Sequence, residues 1–144
     1  MSDKLIWGAH IPYSDDLLQS IKELHKMGAI CYQFFVASPR RQIAEIAPKK
    51  LGEINALRDF TQKNKMMAFI HSPYSLNFAE DFKGKSWWIR SLVLELEYAE
   101  IMGVKGCVLH MGKYKEKSIS KAYENMKDGI ISVLEQTKKL TAKI

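Results

Sequence analysis

The sequence predicts an α/β fold made of four consecutive βα units, which is half of a (β/α)₈ or TIM barrel. Short apolar segments alternate along the chain with longer segments whose apolar residues recur at helical spacing. Polar residues, histidines above all, follow the apolar segments at their carboxyl ends. Strands that alternate with helices pair in parallel, and the sites of such barrels lie at the carboxyl ends of the strands.

The first two units have clear boundaries. A buried strand is predicted over Leu5–Ile11, with Ser14 as the N-cap of the following helix and Gly28 as its stop. A second strand is predicted over Ala29–Val36, and a loop containing Ser38-Pro39-Arg40-Arg41 follows it. The apolar positions of the second helix are Leu51, Ile54, Leu57 and Phe60.

The third and fourth units repeat this pattern. A strand over Met66–Ile70 ends at His71, and the helix after it stops at Gly103. The fourth strand is predicted over Val104–Leu109, just before His110. We expect the last helix to bury one face, formed by Ile119, Ala122, Tyr123, Met126, Ile130, Val133 and Leu134.

A small doubly wound sheet is the alternative arrangement of these elements. It is disfavoured because no glycine-rich phosphate loop follows the first strand, and because polar residues end several strands rather than one. No linker or low-complexity segment interrupts the pattern. We therefore predict a single domain over residues 1–144, the amino-terminal half of a barrel.

Composition places the chain among ordinary globular proteins, with 47% hydrophobic and 26% charged residues. It has no apolar run of membrane-spanning length and does not start like a signal peptide, so we expect a cytoplasmic protein, or a nuclear one in a eukaryote, neither secreted nor membrane-bound. Cys31 and Cys107 lie in apolar segments and are predicted to be reduced, buried thiols. The formal net charge of +6 is compatible with a polyanionic partner.

Three of the four histidines occupy matching positions. His10, His71 and His110 each close a predicted strand, so a parallel barrel brings them to one face. Neutral imidazoles that converge are good ligands for zinc and similar ions. A hydrogen-bonded structural role is the alternative for each of them, and His25, inside a helix, is interpreted as a surface residue.

The predicted loops on that face carry aromatic, amide and basic side chains. Tyr74 is suited to stacking on a base or sugar, and Asn77 either orients a ligand or caps a turn. Positive charge follows the strands at Arg40, Arg41, Lys83, Lys85, Lys113, Lys115 and Lys117. Such charge is typical of surfaces that bind nucleic-acid phosphates, although a solvated basic surface is the simpler explanation.

Several short motifs are spread along the chain. They are Gly8-Ala9-His10, Gln33-Phe34-Phe35, Ser38-Pro39-Arg40, the His71-x-Pro73-Tyr74-x-x-Asn77 motif, Leu94 to Gly103, and Val108-Leu109-His110-Met111-Gly112-Lys113. Together they resemble the endonuclease IV family of metal-dependent DNA repair nucleases, and their order and spacing agree with that family over nearly the whole chain.

The resemblance implies cleavage of DNA at abasic sites by a cluster of metal ions, usually zinc. It implies that His71 and His110 bind one metal ion, and that His10 and Asn77 belong to the catalytic site. Arg40 and Tyr74 would contact DNA near the lesion. Lys113 is a further predicted DNA contact because of its charge and its place in the loop after the fourth strand.

The chain also departs from the family pattern. Met111 stands where the family usually has proline, and Lys113-Tyr114 replaces a frequent histidine. Family members are about twice as long, and their remaining metal ligands come from the other half. We therefore expect weak zinc binding and an incomplete nuclease that needs a carboxyl-terminal half-barrel or self-associates through its sheet edges. The alternatives are a sugar isomerase or epimerase of the related xylose-isomerase-like barrels and a non-catalytic DNA-binding half-barrel.

Overall fold

Parallel strands form one four-stranded sheet in the order β1-β2-β3-β4. The structure, a computed structural model, describes residues 6–40, 51–81 and 86–144. Predictions that concern Leu5, Arg41, Lys83 and Lys85 lie outside the described residues. The strands are β1 (Gly8–Ile11), β2 (Cys31–Phe34), β3 (Met67–His71) and β4 (Cys107–Val108).

A helix follows each strand. The helices are α1 (Leu17–Lys26), α2 (Leu51–Lys63), α3 (Trp87–Met102) and α4 (Ile119–Gln136). The predicted N-cap Ser14 is wrong, because Asp16 accepts the hydrogen bond from Gln19 N at the start of α1. Gly103 ends α3 in the left-handed conformation, as predicted. None of the helices within the described ranges is long and apolar enough to cross a membrane.

The two faces of the sheet differ in burial. Side chains that point towards the helices form the core, among them Tyr32, Phe34, Ala68, Ile70 and Cys107. Side chains on the opposite, inner face are exposed or half-buried, as at His10, Gln33, Met67, His71 and Val108. Since the helices bury one face and each strand pairs with its neighbour along the chain, the sheet has the topology of a barrel wall. The predicted half-barrel is confirmed, and the doubly wound alternative is excluded.

The fourth strand is shorter than predicted, two residues instead of the range Val104–Leu109. An isolated bridge lies beside it. Lys143 forms a parallel bridge with Gly106, and Cys107 N donates a hydrogen bond to Lys143 O at 2.8 Å. The edge of β4 is therefore partly covered, whereas the sequence predicted an open edge there. Close approach requires glycine at this position, because a Cβ at Gly106 would overlap Lys143 O.

The predicted buried face of α4 is partly wrong. Ile119, Tyr123 and Leu134 are exposed, while the helix buries Ala122, Asn125, Gly129 and Val133. Small residues are favoured on that side because Phe78, fully buried in the loop after β3, packs directly on Gly129. Asn125 Nδ2 also donates a hydrogen bond to Ala79 O at 3.0 Å. Packing against a loop therefore selected small and polar residues where periodicity predicted large apolar ones.

The remaining predictions about single residues have mixed outcomes. Both cysteines are unbridged, and Cys107 is buried whereas Cys31 is half-buried. His25 is not a plain surface residue. Its ring packs edge-on against Phe60 and its Nδ1 lies 3.3 Å from Ala29 O. A ring contact and a carbonyl partner give His25 a structural role at the end of α1.

Candidate functional site

Strand register brings the three strand-end histidines to one face. His10 pairs with Gln33 of β2, and Gln33 pairs with Phe69 of β3, two residues before His71. His71 in turn pairs with Val108 of β4, two residues before His110. Because alternate residues of a strand share a face, all three imidazoles lie on the inner face. Their ring centroids are 5.5 Å apart for His10 and His71, and 4.7 Å apart for His71 and His110.

The closest approach in this cluster joins two ring nitrogens. His71 Nε2 lies 2.9 Å from His110 Nε2. His71 Nδ1 lies 2.7 Å from Ser72 O. A carbonyl oxygen only accepts hydrogen bonds, so Nδ1 of His71 carries the proton and Nε2 of the neutral ring has a free lone pair. His71 thus presents an unprotonated nitrogen to His110, and in the absence of a metal the Nε2–H of His110 donates to it.

Burial favours the neutral form of two of these rings, His71 and His10. Burial lowers the pKa of His71 below its ordinary value of 6.5, the bond to Ser72 acts in the opposite direction, and the charges of His110 and His10 lower the pKa further. Burial also lowers the pKa of His10. A lowered imidazole pKa keeps the ring available as a metal ligand at neutral pH.

Phe35 is a member of this site that sequence reasoning did not single out. Its buried ring lies 4.7 Å from His10, 4.8 Å from His71 and 5.5 Å from Tyr74, measured between centroids. We call His10, Phe35, His71, Tyr74 and His110 the histidine cluster. The signal was present in the sequence, because Phe35 lies two residues after Gln33 and thus on the same face as the histidines.

The predicted DNA contacts Arg40 and Tyr74 lie in adjoining loops. Tyr74 N donates a hydrogen bond to Pro39 O at 3.0 Å, which ties the loop after β3 to the loop after β2. Arg40 is exposed, and the Tyr74 side chain is 61% exposed although one edge of its ring contacts the histidine cluster. The exposed Tyr74 ring and the exposed Arg40, which directly follows Pro39, are therefore on adjoining loops and accessible to a ligand.

Asn77 and Lys113 are also brought together, through the side chain of Asn77 and the main chain of Lys113. The amide of Asn77 pairs with the main chain of Lys113, at 2.9 Å for Lys113 N and 3.1 Å for Lys113 O. The Lys113 side chain is exposed and forms no ion pair within the described part of the chain. Both residues therefore lie at the rim of the site, Asn77 engaged with the protein and Lys113 open to solvent.

Two of the predicted basic residues have acidic partners. Lys115 pairs with Glu80, and Lys117 pairs with both Glu80 and Asp81. These pairs neutralise positive charge that the sequence suggested was available to DNA. Within the described residues, fewer basic side chains than predicted are thus free of an acidic partner near the histidine cluster. The two that remain in this part of the chain are Arg40 and Lys113.

The donor set fits a metal ion in part. Two nitrogens bound to one tetrahedral zinc at about 2.0–2.1 Å lie roughly 3.3 Å apart, slightly more than the separation of His71 Nε2 and His110 Nε2. A small outward shift, with loss of the His110 proton, would admit an ion. Among the described residues no group of three or more His, Cys, Asp or Glu side chains is placed to hold a metal. The histidine cluster therefore offers two ligands rather than a complete site.

A separate cavity of about 610 Å³ lies between α1, α2 and the end of β2. Its described lining combines the carboxylates Asp15, Asp16 and Glu53 with apolar and aromatic side chains, Phe35 among them. None of the three clustered histidines is part of that lining. Its acidic rim would repel phosphate, so this cavity is unsuited to the DNA backbone.

Known proteins resemble this chain over most of its length. A probable endonuclease 4 of Symbiobacterium thermophilum is 34% identical over 109 residues, which are 74% of this chain and 38% of that protein. A probable endonuclease 4 of Aquifex aeolicus is 30% identical over 142 residues, 94% of this chain and 48% of that protein. The chain is endonuclease IV-like. No family model matches it.

Solved structures agree at the level of the fold. An endonuclease IV from Thermus thermophilus superposes on this endonuclease IV-like chain with a TM-score of 0.69 at 23% identity, over 92% of this chain and 48% of that one. A D-tagatose 3-epimerase-like protein gives a TM-score of 0.68 at 15% identity, over 96% of this chain and 51% of that one. The chain spans about half the length of the curated relatives and solved structures it matches.

Proposed function

We propose that this chain supplies part of an endonuclease IV-type site, which binds a divalent metal ion and acts on DNA at abasic sites. One observation carries the proposal. The Nδ1–H of His71 donates to Ser72 O, and this bond turns the free Nε2 towards His110 Nε2 at 2.9 Å. Metal-binding histidines are typically oriented by such a bond from the other ring nitrogen.

The metal is proposed to be zinc, or another divalent ion, held by His71 and His110. A divalent ion at this position would activate water and neutralise charge on the phosphate oxygens. Stable catalytic zinc usually has three protein ligands, so two imidazoles should hold it only weakly. His10 would form the floor of the site, where its neutral ring contacts the ring of His71.

DNA is proposed to contact the rim above the histidine cluster. Arg40 and Lys113 would bind phosphates, and Tyr74 would stack in the gap left by a missing base. The hydrogen bond between Tyr74 N and Pro39 O joins the loop that carries Tyr74 to the loop that carries Arg40. Since DNA is the proposed target, we place the protein in the cytoplasm, or in the nucleus of a eukaryote.

Catalysis is proposed to require further βα units, on this polypeptide or on a partner, that complete the metal site and cover the inner face of the sheet. The described residues supply two ligands, and full-length relatives are about twice as long. By itself the 144-residue chain should therefore show no more than trace cleavage of abasic DNA. A non-catalytic DNA-binding role is the closest alternative, since the same rim would serve it.

A sugar epimerase is the second alternative. It is favoured by one observation, the acidic and aromatic lining of the cavity beside α1, because carboxylates suit sugar hydroxyls. Weighing against it, that lining includes none of the clustered histidines, so carboxylates and imidazoles do not meet in one pocket. Ketose titration followed by NMR separates this alternative: shifts at Asp15 and Glu53 would support it.

DNA binding tests the main proposal. Fluorescence anisotropy is measured with a duplex that contains a tetrahydrofuran abasic analogue and with the intact duplex, over a series of salt concentrations. We expect a preference for the abasic duplex and affinity that falls steeply with salt. Arg40→Ala should remove most of the preference and lower the salt slope by about one unit.

The matched control is Lys139→Ala. This change also removes one positive charge, but Lys139 follows α4, which runs away from the carboxyl ends of the strands. The Lys139→Ala variant should keep the salt dependence and the preference for abasic DNA of the unaltered chain. Equal effects of the two substitutions would contradict a localised DNA surface. Robust zinc-dependent nicking by the chain alone would contradict the proposed incomplete ligand set.

A further inference from the structure

Asn77 ties the loop after β3 to the loop after β4. Its Oδ1 accepts a hydrogen bond from Lys113 N at 2.9 Å, and its Nδ2 donates one to Lys113 O at 3.1 Å. The same Oδ1 accepts from Ala79 N at 3.2 Å. Because an amide side chain has both a donor and an acceptor, Asn77 pairs with Lys113 as a neighbouring strand would.

Gly112 is adapted to this pairing. Its φ of +103° is one that side chains with a Cβ rarely adopt. A Cβ at Gly112 would in addition overlap Asn77 Oδ1 and crowd the Asn77 Cα. The residue before Lys113 must therefore be glycine for the amide to reach the main chain. We call Asn77 with the backbone of Gly112 and Lys113 the loop latch.

The loop latch joins the two loops that begin at the paired histidines. Gly112 is two residues after His110, and the loop that starts at His71 reaches Asn77 after a turn closed by Leu76 N and Pro73 O. We propose that Asn77 is a positioning residue that holds His71 and His110 close enough together to share a divalent ion. This inference rests on the proposed metal site, but its geometric part holds without a metal.

Other contacts join the same two loops without replacing the latch. Backbone hydrogen bonds from Ser72 N to Val108 O and from Phe78 N to Met111 O hold the loops at 2.9 and 3.1 Å. These bonds do not involve the Asn77 side chain, so an Asn77 variant should fold. The ion pairs of Glu80 with Lys115 and Lys117 lie at the surface, where salt screens them.

Three variants test the inference. Asn77→Asp keeps the size of the side chain and its acceptors but loses the donor to Lys113 O and places a carboxylate beside that carbonyl. Gly112→Ala disrupts the loop latch from the loop after β4, because the added Cβ would overlap Asn77 Oδ1. The control is Asn125→Ala, which removes a buried amide of α4 that holds the same loop at Ala79 O.

Each variant is measured in three ways. Calorimetry gives the dissociation constant for zinc, urea unfolding gives the stability, and metal-free NMR gives the nuclear Overhauser effect between the His71 and His110 rings together with hydrogen exchange of the Lys113 amide. We expect Asn77→Asp and Gly112→Ala to weaken zinc binding about 10-fold or more, to speed that exchange and to weaken the ring-to-ring effect. Asn125→Ala should lower stability while changing the zinc constant by less than about twofold.

Two results would overturn the inference. One is an unchanged zinc constant and ring-to-ring effect in Asn77→Asp. The other is an equal loss of both in Asn125→Ala, which would indicate general loosening of the fold. If the unaltered chain binds no zinc, the proposed metal site fails, and the metal-free NMR comparison still decides whether the loop latch sets the spacing of the two rings.

Discussion

Glu95 is a carboxyl group placed where its charged form is poorly solvated. It lies on α3 with no exposed surface, between the helix and β4. The thiol of Cys107 donates a hydrogen bond to its Oε2 at 2.9 Å, and its Oε1 has no hydrogen-bond partner among the described residues. Burial raises the pKa of Glu95 to about 8, although the bond from Cys107 acts in the opposite direction. Glu95 is thus largely neutral at pH 7.

The free energy of unfolding should therefore fall as pH rises. In the unfolded chain Glu95 loses its proton near its ordinary pKa of 4.5, whereas in the folded chain it keeps the proton until about pH 8. The stabilising effect of the neutral form is complete below 4.5 and is lost progressively up to about 8. The loss from this residue should be on the order of a few kcal/mol. Urea unfolding at a series of pH values measures it.

Glu95→Gln should flatten this pH dependence, because the amide has no charge to lose and fits the same space. The matched control is Glu97→Gln, an exposed position on the same helix, which should leave the dependence intact. If both variants show the same fall in stability between pH 5 and 8 as the unaltered chain, then Glu95 ionises normally and its buried environment has been misinterpreted.

Elements were predictable from sequence where one physical rule dominates. Repeated apolar segments, separated by segments with apolar residues at helical spacing, predicted the order of strands and helices. Gly103 predicted the end of α3. The histidines were found because strand ends of a parallel sheet share one face. Phe35 was missed although it lies two residues after Gln33 and so on the same face as the histidines. Glu95 was missed because its importance depends on Cys107, a neighbour in space that no local sequence pattern indicates.

The last residues of the chain show how an element can depend on tertiary contacts. Lys143 pairs with Gly106 although no apolar strand pattern marks it. Glu100 of α3 helps to place this segment, since its Oε2 accepts hydrogen bonds from Thr141 N at 2.8 Å and Ala142 N at 3.0 Å. These bonds lower the pKa of Glu100 below its ordinary value. A side chain of α3 thus helps to hold the residues that bridge to Gly106.

Gly106→Ala should detach this segment. The added Cβ would overlap Lys143 O, so the bridge and the burial of Ala142 should be lost, at a cost of roughly 1–2 kcal/mol in unfolding free energy. Gly52→Ala is the matched control, because a Cβ there meets no described atom within 4 Å and alanine is the better helix former. Hydrogen exchange of the Cys107 amide reports the detachment. Slow exchange in Gly106→Ala would contradict it.

At the scale of the whole molecule, the exposed apolar side chains of the described residues include one group on the inner face of the sheet and one on α4. On the inner face of the sheet Val108 is 43% exposed and Met67 is also exposed. On the outer side of α4 Tyr123 is 67% exposed, and Ile119 and Leu134 accompany it. A closed barrel covers both kinds of surface, the first with the opposite wall and the second with the next helix. Uncovered apolar patches of this kind favour association.

The 144-residue chain should consequently self-associate in solution, and the α4 surface should contribute. Multi-angle light scattering across a concentration series should show a rising average mass, with binding of a hydrophobic dye. Tyr123→Lys with Leu134→Lys should shift the mass towards the monomer, since two lysines are costly to bury at a contact. Asn55→Lys with Gln62→Lys adds the same charge at exposed positions of α2 and controls for net repulsion. A dye-free monomer at every concentration would contradict the association, and equal shifts in both double variants would remove α4 from the contact.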